Sequence, residues 1–210
     1  ASLAYQFDQI PHLDVYADFT KQEPDQIIPS QIFMKEFCEK YPYVNVNDAA
    51  AYLTSLRLVK EEEGIALLKK AIHVTNEAIL NMMSHAKADM GENELEAYFD
   101  FVLKTNNCGH SFPSIVGSGK NGTVLHYSDN NQVAKDNTLV LCDLGASYQY
   151  YNADITRTFP VNGKFTPRQK QIYNIVLKAN EYIMSEVRPG KTLRQLNNML
   201  IEFYKKELSE

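Results

Sequence analysis

Apolar residues recur at three-, four- and seven-residue spacings from Glu61 onward, with Ile65, Leu68, Ile72, Ile79 and Met82 on one face; this predicts a long amphipathic helix. A break near KADMG precedes a second helix over Glu92 to about Thr105, striped by Leu95, Phe99 and Val102. The period then changes. SFPSIVGSG, GTVLHY, NTLVLCDLGASY and YYNADITRTFPV read as four short antiparallel strands, divided by Gly119, Asn121-Gly122, SDNNQVAKDN and Tyr148-Gln149. Thr166-Pro167 reads as an N-cap with proline at the first helical position, opening a helix that reaches about Glu186 and stops at Arg188-Pro189-Gly190. Thr192 opens a last helix with Leu193, Leu196, Leu200 and Phe203 on one side.

The first fifty residues have another texture. LDVYADF alternates like a strand, KQEPDQIIP reads as a loop, and Ser30 is the expected N-cap of a helix over QIFMKEFCEKY that ends at Pro42. The stretch VNVNDAAAYLTSLRLVKEEEGI reads as a lead into the next unit. The expected division is therefore residues 1–50, the tail of an N-terminal domain with its linker, and residues 51–210, an α+β unit. Two helices, four strands and two more helices suggest a repeat whose second copy has its helices but no strands.

Composition narrows the function. With 44% hydrophobic residues in 210, a real core is expected, and a formal charge of −5 without long runs of one sign argues against nucleic acid or an anionic membrane as partner. No apolar run is long enough to span a bilayer, and the first residues lack a basic segment followed by an apolar one. Cys38, Cys108 and Cys142 show no CxxC spacing, which fits reduced, mostly buried thiols in a cytoplasmic protein.

Candidate chemistry lies in the last two strand segments. If they form a hairpin turning at Tyr148-Gln149, Asp143 and Asp154 stand directly opposite each other, with Cβ atoms roughly 4.5 to 5.5 Å apart. Two like charges so placed are destabilising unless one is protonated, a basic side chain neutralises them, or a divalent cation sits between them. Arg157 is three positions from Asp154 and is expected on the opposite face, which favours the cation. A slipped register would instead leave both aspartates exposed and ordinary. His126, in GTVLHY, is the other polar residue in an apolar strand-like context: a hydrogen-bonded core histidine, or a group that orients substrate and moves a proton. His12, His73, His85 and His110 read as structural or surface residues.

TVLHY and ADITRTFPVNGKF, within residues 112–177, closely resemble the Xaa-Pro aminopeptidases of the pita-bread metallopeptidase family. LRLVKEEEGIALLKKAIHVTNEAI resembles the linker and first helix before that core, and the likeness covers roughly residues 48 to 200. The resemblance implies the first half of a pita-bread fold plus the helices of its second half. It implies two divalent metal ions, expected to be Mn2+, and a metal-bridging hydroxide that attacks the bond preceding proline at the second position of a peptide. By position, Asp143 matches an aspartate that chelates one metal, Asp154 the aspartate bridging both, and His126 a histidine lining the site. The family's remaining ligands are a histidine and two glutamates of the second half. No histidine follows His126, and Glu181, Glu186, Glu202, Glu207 and Glu210 lie in predicted helices or at the terminus. The expectation is accordingly a fragment of a longer enzyme or a natural half-site, nearly inactive alone, with the half-covered faces of its last helices promoting a homodimer or leaving the C-terminal helix disordered. A non-catalytic pita-bread module that binds a peptide or protein is the alternative. A creatinase-like enzyme, which works without metal, is disfavoured by the two aspartates.

Overall fold

The computed structural model describes residues 13–21 and 25–208; His12, Glu210, the residues read for a leader, and part of the loop read over 21–29 lie outside them. The chain divides into two compact units, residues 1–65 and 66–210. In the first, strand β1 (Leu13–Ala17) runs parallel to β2 (Val44–Asp48), with Leu13 opposite Val44. Parallel neighbours need a crossover, supplied by helix α1 (Pro29–Lys40), whose Met34 is buried. Its N-cap is Ile28, not Ser30, because Pro29 takes the first helical position, where its fixed φ fits and its missing N–H costs nothing. Strand β2 was hidden in the sequence: its alternating asparagines look like loop until β1 comes beside it and Asn45 Nδ2 donates to Asp14 Oδ1 at 2.8 Å. Helix α2 (Ala50–Leu58) follows.

Helix α3 (Glu62–His85) and helix α4 (Glu92–Thr105) have the predicted extents within a residue. In α4 the stripe is as read, with Leu95, Phe99 and Leu103 buried and Val102 partly so. In α3 it is not. Ile65 and Ile72 are 40% and 42% exposed, while Ala71, Val74, Thr75, Ala78, Ile79 and Met82 are buried. The small side chains let the sheet close on that face, and close packing decides the rotation where bulk alone suggested another.

Strands β3 (Met90–Gly91) and β6 (Val133–Ala134) pair at the start of α4. The main sheet has β5 (Ile115–Ser118), β7 (Leu139–Leu144) and β10 (Ile155–Pro160), antiparallel with β7 in the middle. A second sheet has β4 (Gly109–His110), β8 (Ala146–Tyr148) and β9 (Tyr151–Asn152) in the order β4-β8-β9. One long hairpin, β7-β8 then β9-β10, thus feeds both sheets. It turns at Gln149 and Tyr150, both with positive φ (49° and 66°), one residue later than expected. Val116, Val140, Cys142, Leu144 and Phe159 meet the buried stripes of α3 and α4 in one core.

GTVLHY is not a strand. Gly119–Thr123 forms a 3-10 turn, Gly119 and His126 have positive φ (53° and 55°), and Leu125 is 92% exposed. Its alternating pattern finds no neighbouring edge to pair with. Helices α5 (Pro167–Glu186) and α6 (Leu193–Glu207) begin as predicted, capped by Thr166 and Thr192, each hydroxyl accepting from the backbone N–H three residues on. They pack on each other, Tyr182 stacking on Phe203 at 5.7 Å, so that Leu196, Leu200 and Phe203 are half-buried.

Candidate metal centre

Burial along β7 alternates: Val140, Cys142 and Leu144 are fully buried against the helices, so Leu139, Leu141 and Asp143 face the other side of the sheet. The apolar environment of Cys142 pushes its thiol up to about 12, and Sγ donates to the Arg157 carbonyl at 3.4 Å, so it is no thiolate ligand. Asp143 is half-buried, flanked by Ile115 of β5 and Thr156 of β10, and Thr156 Oγ1 donates to its Oδ1 at 2.7 Å.

The expected direct opposition of Asp143 and Asp154 is therefore corrected. Moving the turn by one residue shifts the partner by two, which replaces Asp154 by Thr156 but keeps the face, because side chains alternate with period two. Asp154 stands in the short break between β9 and β10, exposed and diagonal to Asp143. Diagonal neighbours on one face are roughly 7 to 8 Å apart at the backbone, within reach of two carboxylates. The break arises at Gly145, where any Cβ would run into the Ala153 carbonyl; only glycine lets the strands approach there. The Asp154 carboxyl is held above the ordinary aspartate range, first by loss of solvent and then by the charge and hydrogen bond of Asp143. Since Asp154 is exposed, the neighbouring carboxylate is the weightier cause. Arg157 does not relieve the pair; its Nη1 donates to the Thr156 carbonyl at 2.8 Å.

These residues suit half of a cation site. Hard carboxylate oxygens match a hard divalent ion, and the cost of holding two like charges together is what a cation would remove. Among the described residues no third His, Cys, Asp or Glu converges on them. His126 sits exposed on the turn after the 3-10 segment, and among the described residues no hydrogen bond or ion pair joins it to either aspartate. The other described histidines behave as read: His73 faces Glu77 at 3.4 Å, His85 Nδ1 contacts the Asn81 carbonyl at 2.8 Å, and His110 faces Asp100 at 3.2 Å.

One charged residue escaped the sequence. Glu92, in the first turn of α4, is fully buried and its carboxylate is met only by donors. Oε1 accepts from Ser118 N (2.7 Å), Ser118 Oγ (2.8 Å) and Asn121 Nδ2 (3.0 Å); Oε2 accepts from Tyr127 OH (2.7 Å) and Gln132 N (3.0 Å). Burial alone would raise its pKa, but these bonds outweigh it and hold the carboxyl below the ordinary glutamate range. An acidic residue opening a helix normally reads as a solvated partner of the helix dipole, and the donors lie 26 to 40 positions away. No local signal marks it.

Helices α3 and α4 thus cover one face of the main antiparallel sheet, and Asp143 and Asp154 lie on the other. The sequence profile of metallopeptidase family M24 matches residues 66–209, and the chain belongs to that family. The Xaa-Pro aminopeptidase of Escherichia coli (strain K12) is 41% identical over 149 residues, 70% of this chain and 33% of that protein. Intermediate cleaving peptidase 55, mitochondrial, of Arabidopsis thaliana is 34% identical over 148 residues, 70% of this chain and 30% of that protein. Proline aminopeptidase P II from Yersinia pestis superposes with a TM-score of 0.86 at 29% identity, over 98% of this chain and 48% of that one. Zinc-substituted E. coli aminopeptidase P in complex with product gives 0.81 at 30% identity, over 93% and 46%. The fold is thus the pita-bread architecture, and the chain spans about a third to a half of the relatives it matches. No helix among the described residues is long and apolar enough to cross a membrane.

Proposed function

We propose that the chain carries part of the active site of an Xaa-Pro aminopeptidase, acting in the cytoplasm on peptides with proline at the second position. The observation that supports this most is the placing of Asp143 and Asp154 on one face, where Asp143 opposes ionisation of Asp154. Asp143 and Asp154 would hold the metal, with Mn2+ the expected ion. Two divalent cations, when bound, activate water and polarise the scissile carbonyl. Thr156 holds Oδ1 of Asp143 by its hydrogen bond, and Oδ2 is the oxygen that would coordinate. His126 would orient the peptide or carry a proton. The names of the matched relatives support the substrate class. Three free cysteines suit a reducing compartment.

The test is calorimetric titration of Mn2+ into the wild-type chain and into Asp154→Asn. The variant keeps the shape, loses one ligand charge, and is expected to bind at least about tenfold more weakly. Equal affinities would remove both aspartates from the assignment.

A further inference from the structure

We propose that Glu92 is a positioning residue: its buried carboxylate fixes the segment from Ser118 to Gln132 and thereby sets where His126 stands. The proposal rests on the reading of His126 as a site residue.

The segment is irregular, so it has no ladder of its own to define its path. The buried carboxylate replaces one. Its five accepted bonds reach Ser118 at the entrance, Asn121 and Tyr127 on either side of the tip, and Gln132 at the exit. Asn121 Nδ2 also contacts Tyr127 OH at 3.0 Å, and the Glu92 N–H donates to the Gln132 carbonyl at 2.8 Å. Buried Asn130 adds a second clasp, donating to Glu96 and to the Ser114 carbonyl at 2.9 Å each and accepting from Val116 N at 2.9 Å. What projects is the tip, with Val124 and Leu125 exposed and His126 at φ 55°. A left-handed non-glycine residue persists only where its surroundings over-determine it, and here the residue after it is tied directly to Glu92.

The donor set also explains why a carboxylate is needed. Every partner presents N–H or O–H, and only an ionised carboxylate accepts on both oxygens. In Glu92→Gln the amide NH2 must face either Ser118 N–H or Gln132 N–H. Hydroxyl groups can rotate to accept; backbone N–H groups cannot.

The test uses the 210-residue chain, isotope-labelled, as wild type and Glu92→Gln, with two NMR readouts. Without metal, the variant should exchange its Ser118 or Gln132 amide about tenfold faster or more and shift the His126 ring resonances, while the Val140 and Cys142 amides keep their protection. With Mn2+, paramagnetic broadening of the His126 ring should be present in wild type and reduced in the variant, and broadening around Asp154 retained in both. Unchanged exchange and unchanged His126 resonances in Glu92→Gln would overturn the proposal. Loss of protection without Mn2+ broadening of His126 in wild type would support the anchor and sink the placing of His126 at the metal site. If Glu92→Gln loses the core protection as well, Tyr127→Phe carries the test: it removes one bond beside His126, and unaltered His126 resonances in that variant would overturn the proposal.

Discussion

Two carboxylates and one glycine decide what the hairpin can do. Asp143 was legible because a charge in LVLCDL interrupts an apolar strand, and Asp154 because NADIT repeats the pattern; which residue lies opposite which was not. The pairing depends on whether the turn centres before or after Gln149, and a single residue of difference moves every partner by two. Gly145 is the hinge of this arrangement. Gly145→Ala would push a methyl group into the Ala153 carbonyl, with Ser111 Oγ close by. Such overpacking between two backbones is expected to cost about 2 kcal/mol or more, read as a lowered urea midpoint, and to weaken Mn2+ binding by displacing Asp154. A variant as stable as wild type would show that the strands can part there without loss.

At the scale of elements, helices were read better than strands, although Ala50–Leu58 passed as a linker, and for a physical reason. Helix ends rest on local chemistry: Thr166 and Thr192 meet N–H groups three residues away, and Pro29 and Pro167 take first-turn positions where a proline costs nothing. A strand exists only beside another, so VNVND was missed and GTVLHY misassigned. The rotation of α3 was likewise settled by its neighbours. Thr75 shows how: its buried hydroxyl donates to the Ala71 carbonyl at 2.8 Å and accepts from Ala146 N at 2.9 Å, tying α3 to the first residue of β8. Thr75→Val keeps the shape but leaves the Ala146 N–H unpaired in the core. A loss of about 1 to 3 kcal/mol in chemical denaturation is expected, larger than for a surface Thr→Val change.

Across the whole molecule the connections that matter join distant parts of the chain. Glu92 contributes to stability through its ionised form, so the direction of its pH dependence follows. Its pKa is lowered on folding; the contribution is complete above the ordinary glutamate pKa of about 4.3 and is lost as pH falls through the lower folded value. Urea midpoints measured from neutral pH down to about pH 3 should therefore fall more steeply for wild type than for Glu92→Gln, which cannot titrate there. Parallel curves would mean that Glu92 is not held ionised by its five donors.

The amino-acid sequence by itself determined five of the six helices, the caps Thr166 and Thr192, the α+β class, the resemblance to a metallopeptidase family and the three candidate residues, because each is carried by neighbours in the chain or by a short motif. Tertiary structure alone decided the register that sets Asp154 diagonal to Asp143, the face of α3 that meets the sheet, the turn on which His126 stands and the burial of Glu92. Those depend on the meeting of segments tens of residues apart, where close packing and the pairing of buried polar groups select one arrangement among several that the local pattern allows.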